Sequence, residues 1–175
     1  EADGLRVGIV AQPDWRARDA LAVMGRPLLF VGVTAGNLDS MLAHHTAARH
    51  RRREDAYTEG GVAGRRPDLA TVVYAQMARA TFPGLPVVLG GIEASLRRVA
   101  HYDYWQDRMR PSILADSKAD LLVHGMGEAP IREVARRLRA GDGDLSGIPG
   151  TARLLGARET AALDASGVVE LPSWE

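Results

Sequence analysis

The sequence contains no cysteine, so these residues supply no disulfide, no thiolate zinc site and no cysteine ligand for an iron–sulfur cluster. It also lacks any apolar run close to the roughly 20 residues that a membrane-spanning helix needs. The opening residues show no signal-peptide pattern. We therefore expect a cytoplasmic protein that has no contact with a membrane.

The sequence also has no excess of either charge, because 22 basic and 22 acidic residues give a formal net charge of +0. No overall field therefore attracts nucleic acid or an anionic surface. The arginine-rich run "RHRRRED" adjoins acidic residues, which favours a solvated loop over an RNA-binding patch. Residues 49–66 as a whole are polar, glycine-containing and aperiodic, which predicts a long loop.

What the sequence does contain is an alternation of strand and helix patterns. Strands are expected at 5–10, 28–36, 87–91 and 119–125, with shorter ones in "TARLLG" and "ASGVVELPSWE". Helices are expected at 16–24, ending at Gly25, from 38 past His45 with Asn37 as its cap, after the cap Asp68, and from Pro130. The helix after Asp68 is expected to bury Leu69, Val72, Val73, Met77 and Ala80, and the helix from Pro130 to bury Ile131, Val134, Ala135 and Leu138.

This alternation predicts an α/β fold with an open, doubly wound, mostly parallel sheet in three layers. Ligands of such sheets bind beyond the carboxyl ends of the strands. Small and polar residues follow four of the expected strands, in "AQPDW", "TAGNLDS", "GGIEAS" and "GMGE". The candidate binding residues at this edge are Thr34, Asn37, Gly90, Gly91, Glu93, Ser95, Arg97, Arg98 and Glu128. The alternative for any single loop is that βα connections need glycines and caps without a ligand.

No dinucleotide fingerprint or phosphate-binding lysine loop occurs, which argues against nucleotide binding of those types. His44, His45 and His50 lack metal-ligand spacing, and no metal site or catalytic residue is predicted. A hydrolase that uses His101 and Asp103 is the weakest functional alternative, because no nucleophile accompanies them. The aromatic group Tyr102, Tyr104 and Trp105 indicates a docking or stacking surface, although a small satellite core would explain it too.

Five runs carry a family resemblance: "RVGIVAQPDW", "GRPLLFVGVTAGNLDSM", "DAYTEGGVAGRRPD", "VVLGGIEASLRRVAHYDYW" and "DSKADLLVHGMGE". Together they resemble the N-terminal region of the YgiQ-type radical SAM family. The broader pattern is also similar to the cobalamin-binding domains that precede radical SAM barrels. The resemblance implies a Rossmann-like, cobalamin-binding or flavodoxin-like domain over residues 1–158. Residues 159–175 would form a terminal strand and a linker toward a barrel.

In that family the barrel holds a [4Fe–4S] cluster on three cysteines spaced C-x3-C-x2-C, and the cluster cleaves S-adenosylmethionine. This sequence lacks the motif. The resemblance therefore implies an accessory domain that does not itself hold the cluster. It also implies that the parent protein uses the [4Fe–4S] cluster and S-adenosylmethionine, on a substrate that the sequence does not identify. No D-x-H-x-x-G loop follows the first expected strand, which argues against cobalamin. The alternative is a free-standing module that binds a flavin, cobalamin or a phosphorylated small molecule.

Overall fold

The structure is a computed structural model that describes residues 3–17, 19–164 and 166–171. Its strands are β1 (Val31–Val33), β2 (Val87–Leu89), β3 (His101–Asp103), β4 (Arg108–Arg110), β5 (Leu121–Val123) and β6 (Thr151–Ala152). Its α-helices are α1 (Ser40–His44), α2 (Ala70–Thr81), α3 (Gly91–Leu96), α4 (Ile113–Ser117), α5 (Glu128–Arg139) and α6 (Ala157–Ala161). Short 3₁₀ turns occupy Ala22–Met24 and Glu59–Gly61.

The main sheet has the order β1-β2-β5-β6. The first three strands are parallel, and β6 pairs antiparallel with β5 at the edge. The predicted α/β class with a mostly parallel sheet is therefore confirmed. The separate hairpin of β3 and β4 was not predicted, and neither was the short helix α4 that follows it.

The core lies on both faces of the sheet, because strands that are covered on both sides alternate their side chains between two clusters. Val87 and Leu89 of β2 pack with α2 and α4, whereas Val88 packs with Val134 of α5 and with Ile148. All three β2 residues are at most 2% exposed. Each fully buried side chain of this size stabilises the fold by about 1.5–3 kcal/mol relative to an exposed one.

Helix α5 follows the prediction, with Pro130 in its first turn and Ile131, Val134 and Leu138 packed in the second cluster. Helix α2 differs, because its buried face consists of Ala70, Thr71, Tyr74, Ala75 and Ala78. The expected stripe is only partly buried, and Ala80 is exposed. Ala75 and Ala78 are fully buried. The prediction relied on large apolar side chains, and this face of α2 buries mainly small ones.

Several expected elements near the amino end are wrong. Residues 5–10 form no strand, and Val7 and Ile9 are 60% and 79% exposed. The described part of 16–24 contains only the 3₁₀ turn, which does end at Gly25 with φ 77°. The cap of α1 is Asp39 instead of Asn37, because the Asp39 carboxylate accepts hydrogen bonds from Met41 N and Leu42 N. Helix α1 stops at His44, since His45 is extended.

The remaining differences concern Asp68 and the carboxyl end. Asp68 does not cap α2, whose N-cap is Leu69 in the left-handed region with φ 51°. The short strand expected in "TARLLG" is confirmed, as the edge strand β6. Residues 166–171 form no strand, and 172–175 lie outside the described residues. Helix α6 spans the expected boundary between residues 158 and 159.

Candidate functional site

An open groove lies at the carboxyl ends of the three parallel strands. Its volume is about 510 Å³, within the range of small-molecule sites. We call it the strand-end groove, and it is lined by Gly32, Val33, Thr34, Val88, Leu89, Gly90, Gly91, Val123, Gly125, Gly127, Glu128 and Ile131. Four of the nine predicted binding residues line it, namely Thr34, Gly90, Gly91 and Glu128.

Glycine at position 91 is required by the backbone and by its neighbours. Gly91 has φ +80°, and a Cβ there would lie 2.3 Å from Thr34 Oγ1 and 3.5 Å from the carbonyl oxygen of Gly36. Side chains avoid both that conformation and such a contact. The loop after β1 and the start of α3 are thus in close contact at one wall of the groove.

The groove has an apolar floor and polar edges. Val33, Leu89 and Val123 come from the strand ends, while Thr34 and the exposed Glu128 supply oxygen atoms. Glu128 is the first residue of the 12-residue helix α5. This arrangement can accommodate a mainly apolar group with few polar contacts, from a small molecule or from another protein surface.

Glu93 is fully buried, and its carboxylate joins three helices. Oε2 accepts a hydrogen bond from Ser40 N at 2.7 Å, and Oε1 accepts one from Thr71 N at 2.9 Å. These backbone N–H groups belong to the first turns of α1 and α2, which need acceptors from outside their own helices. Ser40 Oγ adds a third bond by accepting from Ala70 N at 3.0 Å. Glu93 therefore holds α1 and α2 in place from within α3.

Arg97 also points into the protein, where it forms an ion pair with the α1 cap Asp39. A second hydrogen bond runs from Arg97 Nη2 to Asp39 Oδ1 at 3.3 Å. Burial lowers the pKa of Arg97, and the nearby Asp103 acts in the opposite direction. The guanidinium orders the packing between α1 and the end of α3.

The other three predicted residues surround this region. Ser95 Oγ accepts from Gly125 N at 3.4 Å, which links α3 to the loop after β5. Arg98 is exposed and donates to the carbonyl oxygen of Ser95 at 2.7 Å. Asn37 is exposed beside Gly36, outside the residues that line the groove.

A buried charged cluster, which the sequence did not indicate, orders the loop 49–66. Arg66 donates two hydrogen bonds of 2.8 Å to the carboxylate of Asp55, and both side chains are almost fully buried. His44 lies between two carboxylates, with Nδ1 2.7 Å from Asp68 Oδ1 and Nε2 3.5 Å from Asp55 Oδ2. The sequence gives one signal for this cluster: acidic and basic residues occur on both sides of the glycine-rich residues 60–64.

Burial alone would raise the pKa of Asp55, but the hydrogen bonds from Arg66 and from the backbone N–H of Tyr57 hold it below its usual value of 3.8. The carboxylate form is therefore favoured in the folded protein. The buried ion pair of Asp55 and Arg66 therefore orders a loop whose other residues are largely exposed.

The chain does not fit an iron–sulfur cluster or an imidazole-held cobalamin. It has no cysteine, and the described residues contain no group of three side chains arranged to hold a metal ion. No histidine lines the strand-end groove. His44 instead bonds Asp68, and His45 packs against Trp105.

The parallel sheet with its strand-end groove defines a Rossmann-like α/β domain. A family model described as Radical SAM N-terminal matches residues 1–175, and the chain belongs to that family. Within the described part of the chain, no helix has the length and apolar character needed to span a membrane.

Curated relatives carry the UPF0313 name. One from Geobacter sulfurreducens is 54% identical over 177 residues, which cover 100% of this chain and 29% of that protein. One from Thermotoga maritima is 59% identical over 140 residues, 79% of this chain and 25% of the relative. The UPF0313 protein YgiQ of Escherichia coli is 58% identical over 142 residues, 81% and 19% respectively. The chain thus spans less than a third of the length of these relatives, and no solved structure matches it.

Proposed function

We propose that this chain is an accessory domain of a radical SAM enzyme and that its strand-end groove faces the catalytic barrel or the substrate. In this proposal residues 1–158 form the domain and 159–175 lead toward the barrel. The bound cluster and S-adenosylmethionine, both held outside this chain, would supply a 5′-deoxyadenosyl radical. The contribution of this chain would be to cover and shape the site where the substrate sits.

The observation that carries the proposal is the form of the groove. It is open, it lies at the carboxyl edge of the parallel strands, and its walls are glycine backbone with few polar atoms. Backbone walls permit close approach of another surface. The thiolate ligands of a cluster are the component that this sequence lacks.

Hydrogen exchange, expressed as protection factors that correct for sequence, compares the chain alone with the aligned region of a full-length relative such as the Geobacter protein, which is 54% identical to it. We expect added protection at 32–36, 89–92 and 124–128, the segments around the groove. The internal control is the opposite end of the sheet, around Arg79, Pro86 and Asp120, where protection should not change. Equal exchange of the groove segments in both proteins would contradict the proposal.

The cofactor assignment has its own test. After anaerobic reconstitution with iron and sulfide, the isolated chain should stay colourless, because it offers no thiolate. S-adenosylmethionine should leave its Tm unchanged. A stoichiometric brown chromophore in the isolated chain would overturn the assignment.

The second candidate is a free-standing module for a flavin, cobalamin or a phosphorylated ligand, and the groove volume of about 510 Å³ favours it. A ligand at 100 times its Kd should add about 2.7 kcal/mol of apparent stability. Thermal unfolding with each ligand therefore separates the two candidates. A shift with one of these ligands would support the module, and the absence of any shift would exclude it.

A further inference from the structure

Two hairpins that are distant in the sequence lie side by side on one surface. The first spans 45–51 and is closed by an antiparallel bridge between His45 and Arg51 and by a hydrogen bond from Thr46 N to the carbonyl oxygen of His50 at 2.8 Å. The second is formed by β3 and β4. We call their joint exposed face, with the adjoining residues 52–53, the two-hairpin surface.

Aromatic contacts join the two hairpins. The Tyr104 hydroxyl donates to the carbonyl oxygen of Ala47 at 2.7 Å, and the Arg49 guanidinium lies 4.5 Å from the centre of the Tyr104 ring. Trp105 meets Tyr104 edge to face with ring centres 5.7 Å apart, and its ring centre lies 6.3 Å from that of His45. Arg49 and Tyr104 are thus held in a fixed arrangement while both remain exposed.

The surface is richer in cations than the chain as a whole. Arg49, Arg52 and Arg53 are exposed, and within the described part of the chain no carboxylate forms an ion pair with them. Arg51 lies 3.6 Å from Asp68, and the exposed Arg108 donates to Gln106. The exposed acidic residues in or beside these segments are Glu54 and Asp107, and the partly buried Asp68 adjoins Arg51 and His45. The carboxylate of Asp107 accepts the hydrogen bond of the Tyr102 hydroxyl.

The β3–β4 hairpin contributes exposed apolar side chains to this surface, near Arg49. Tyr102 is 54% exposed, and Met109, its direct partner across the hairpin, is 44% exposed. Guanidinium groups beside exposed aromatic rings are the combination that binds phosphates and stacks on bases.

We propose that the two-hairpin surface binds single-stranded nucleic acid, with Arg49, Arg52 and Arg53 on the phosphates and with a base stacked on the exposed ring of Tyr102. The sequence alone favoured a solvated loop, because it does not show that the aromatic hairpin lies against the arginine run. None of these residues lines the strand-end groove, so the inference does not depend on the function proposed for that groove.

Fluorescence anisotropy of the 175-residue chain with labelled oligo(U) and oligo(dT) of about 12 nucleotides tests the inference. We expect a Kd of about 10⁻⁶–10⁻⁴ M. Between about 50 and 200 mM salt the affinity should fall about 20-fold if three phosphates are neutralised. Equal binding of both oligonucleotides indicates recognition of the shared chemistry, and tighter binding of oligo(U) indicates RNA. Absence of binding at the lower salt concentration would overturn the inference.

Arg52→Gln/Arg53→Gln should weaken binding and reduce the salt slope by about 1.4, because two phosphate contacts are lost. The matched control is Arg6→Gln/Arg158→Gln, which removes the same charge from exposed positions outside this surface and should change the affinity less than about two-fold. Equal losses in both double variants would show attraction by charge alone and refute the site.

Stacking is tested separately at Tyr102. Tyr102→Leu keeps an apolar partner for Met109 but removes the ring, so the affinity should fall about five-fold or more. Tyr102→Phe keeps the ring and should retain binding. Far-ultraviolet circular dichroism confirms that each variant is folded. A Tyr102→Leu protein that is folded and binds like the wild type would contradict the stacking arrangement.

Discussion

The change Glu93→Gln separates a structural role of this carboxylate from a ligand-binding role. The wild-type side chain accepts one hydrogen bond at each oxygen, from Ser40 N and from Thr71 N. Glutamine keeps one oxygen and places an NH₂ group against the other N–H. One helix terminus then loses its acceptor, and a buried amide donor is left facing another donor.

The magnitude follows from these two bonds. A hydrogen bond to a charged group contributes about 1.5–3 kcal/mol, and a buried unsatisfied donor costs about 1–3 kcal/mol. Since the effects overlap at one site, we expect a total loss of about 2–4 kcal/mol. For a chain of this size each kcal/mol lowers Tm by about 2–4 °C, so Tm should fall by roughly 4–16 °C.

Urea unfolding followed by circular dichroism measures the free energy of unfolding. The matched control is Glu128→Gln, a change of the same chemistry at an exposed residue of the groove, which should stay within about 0.5 kcal/mol of the wild type. If Glu93→Gln is as stable as the wild type, the carboxylate does not hold α1 and α2, and the account of the helix contacts is wrong.

Three further predictions concern a glycine and two carboxylates. Gly91→Ala should destabilise the domain by about 1–3 kcal/mol in urea unfolding, because position 91 has a positive φ and the new Cβ would contact Thr34 Oγ1. Gly143→Ala is the control and should have little effect, since a Cβ at position 143 would have no atom within 4 Å; equal effects would contradict the assigned strain. The pKa of Asp55 is lowered in the folded protein, so its carboxylate stabilises the fold above about pH 4, and this stabilisation is lost as the pH falls through the folded pKa. The difference in unfolding free energy between wild type and Asp55→Asn should therefore shrink in acid, and a constant difference would count against the ion pair with Arg66. The pKa of Glu133, lowered to about 2 by hydrogen bonds from Arg136 and Arg137, should be measurable by carbon-detected NMR titration, and a value near 4.5 would show that the arginine fork does not persist in solution.

The central sheet and helix α5 are predictable from the sequence because their signals are local. Strands buried on both faces produce continuous apolar runs, as in β2 and β5. The regular spacing from Ile131 to Leu138 marks the core face of α5. The same logic fails at 5–10, where an apolar run has no strand beside it and stays exposed. An apolar run shows that a segment can be buried, but whether it is buried depends on a neighbouring strand or helix that covers it.

The parts of the candidate site that could not be predicted depend on contacts between distant residues. Glu93, Ser40 and Thr71 come from three different helices, and nothing near Glu93 in the sequence marks it as a helix cap. The Asp55–Arg66 pair and its neighbour His44 are equally invisible to local patterns. The glycine pair Gly90 and Gly91 was detectable, since a polar turn after a buried strand follows a general rule of parallel sheets.

The same six-residue helix, α3, both borders the groove and holds the fold together. Its first residue, Gly91, forms part of the groove wall, while Glu93 two residues later holds the first turns of α1 and α2. Ser95 continues the link to Gly125, on the other side of the groove. A ligand or protein surface that displaces Gly91 would act within one turn of Glu93, in the same six-residue helix. We therefore expect binding at the groove to change amide exchange at Ser40 and Thr71, although neither residue lines it; unchanged exchange there would show that Gly91 and Glu93 respond independently.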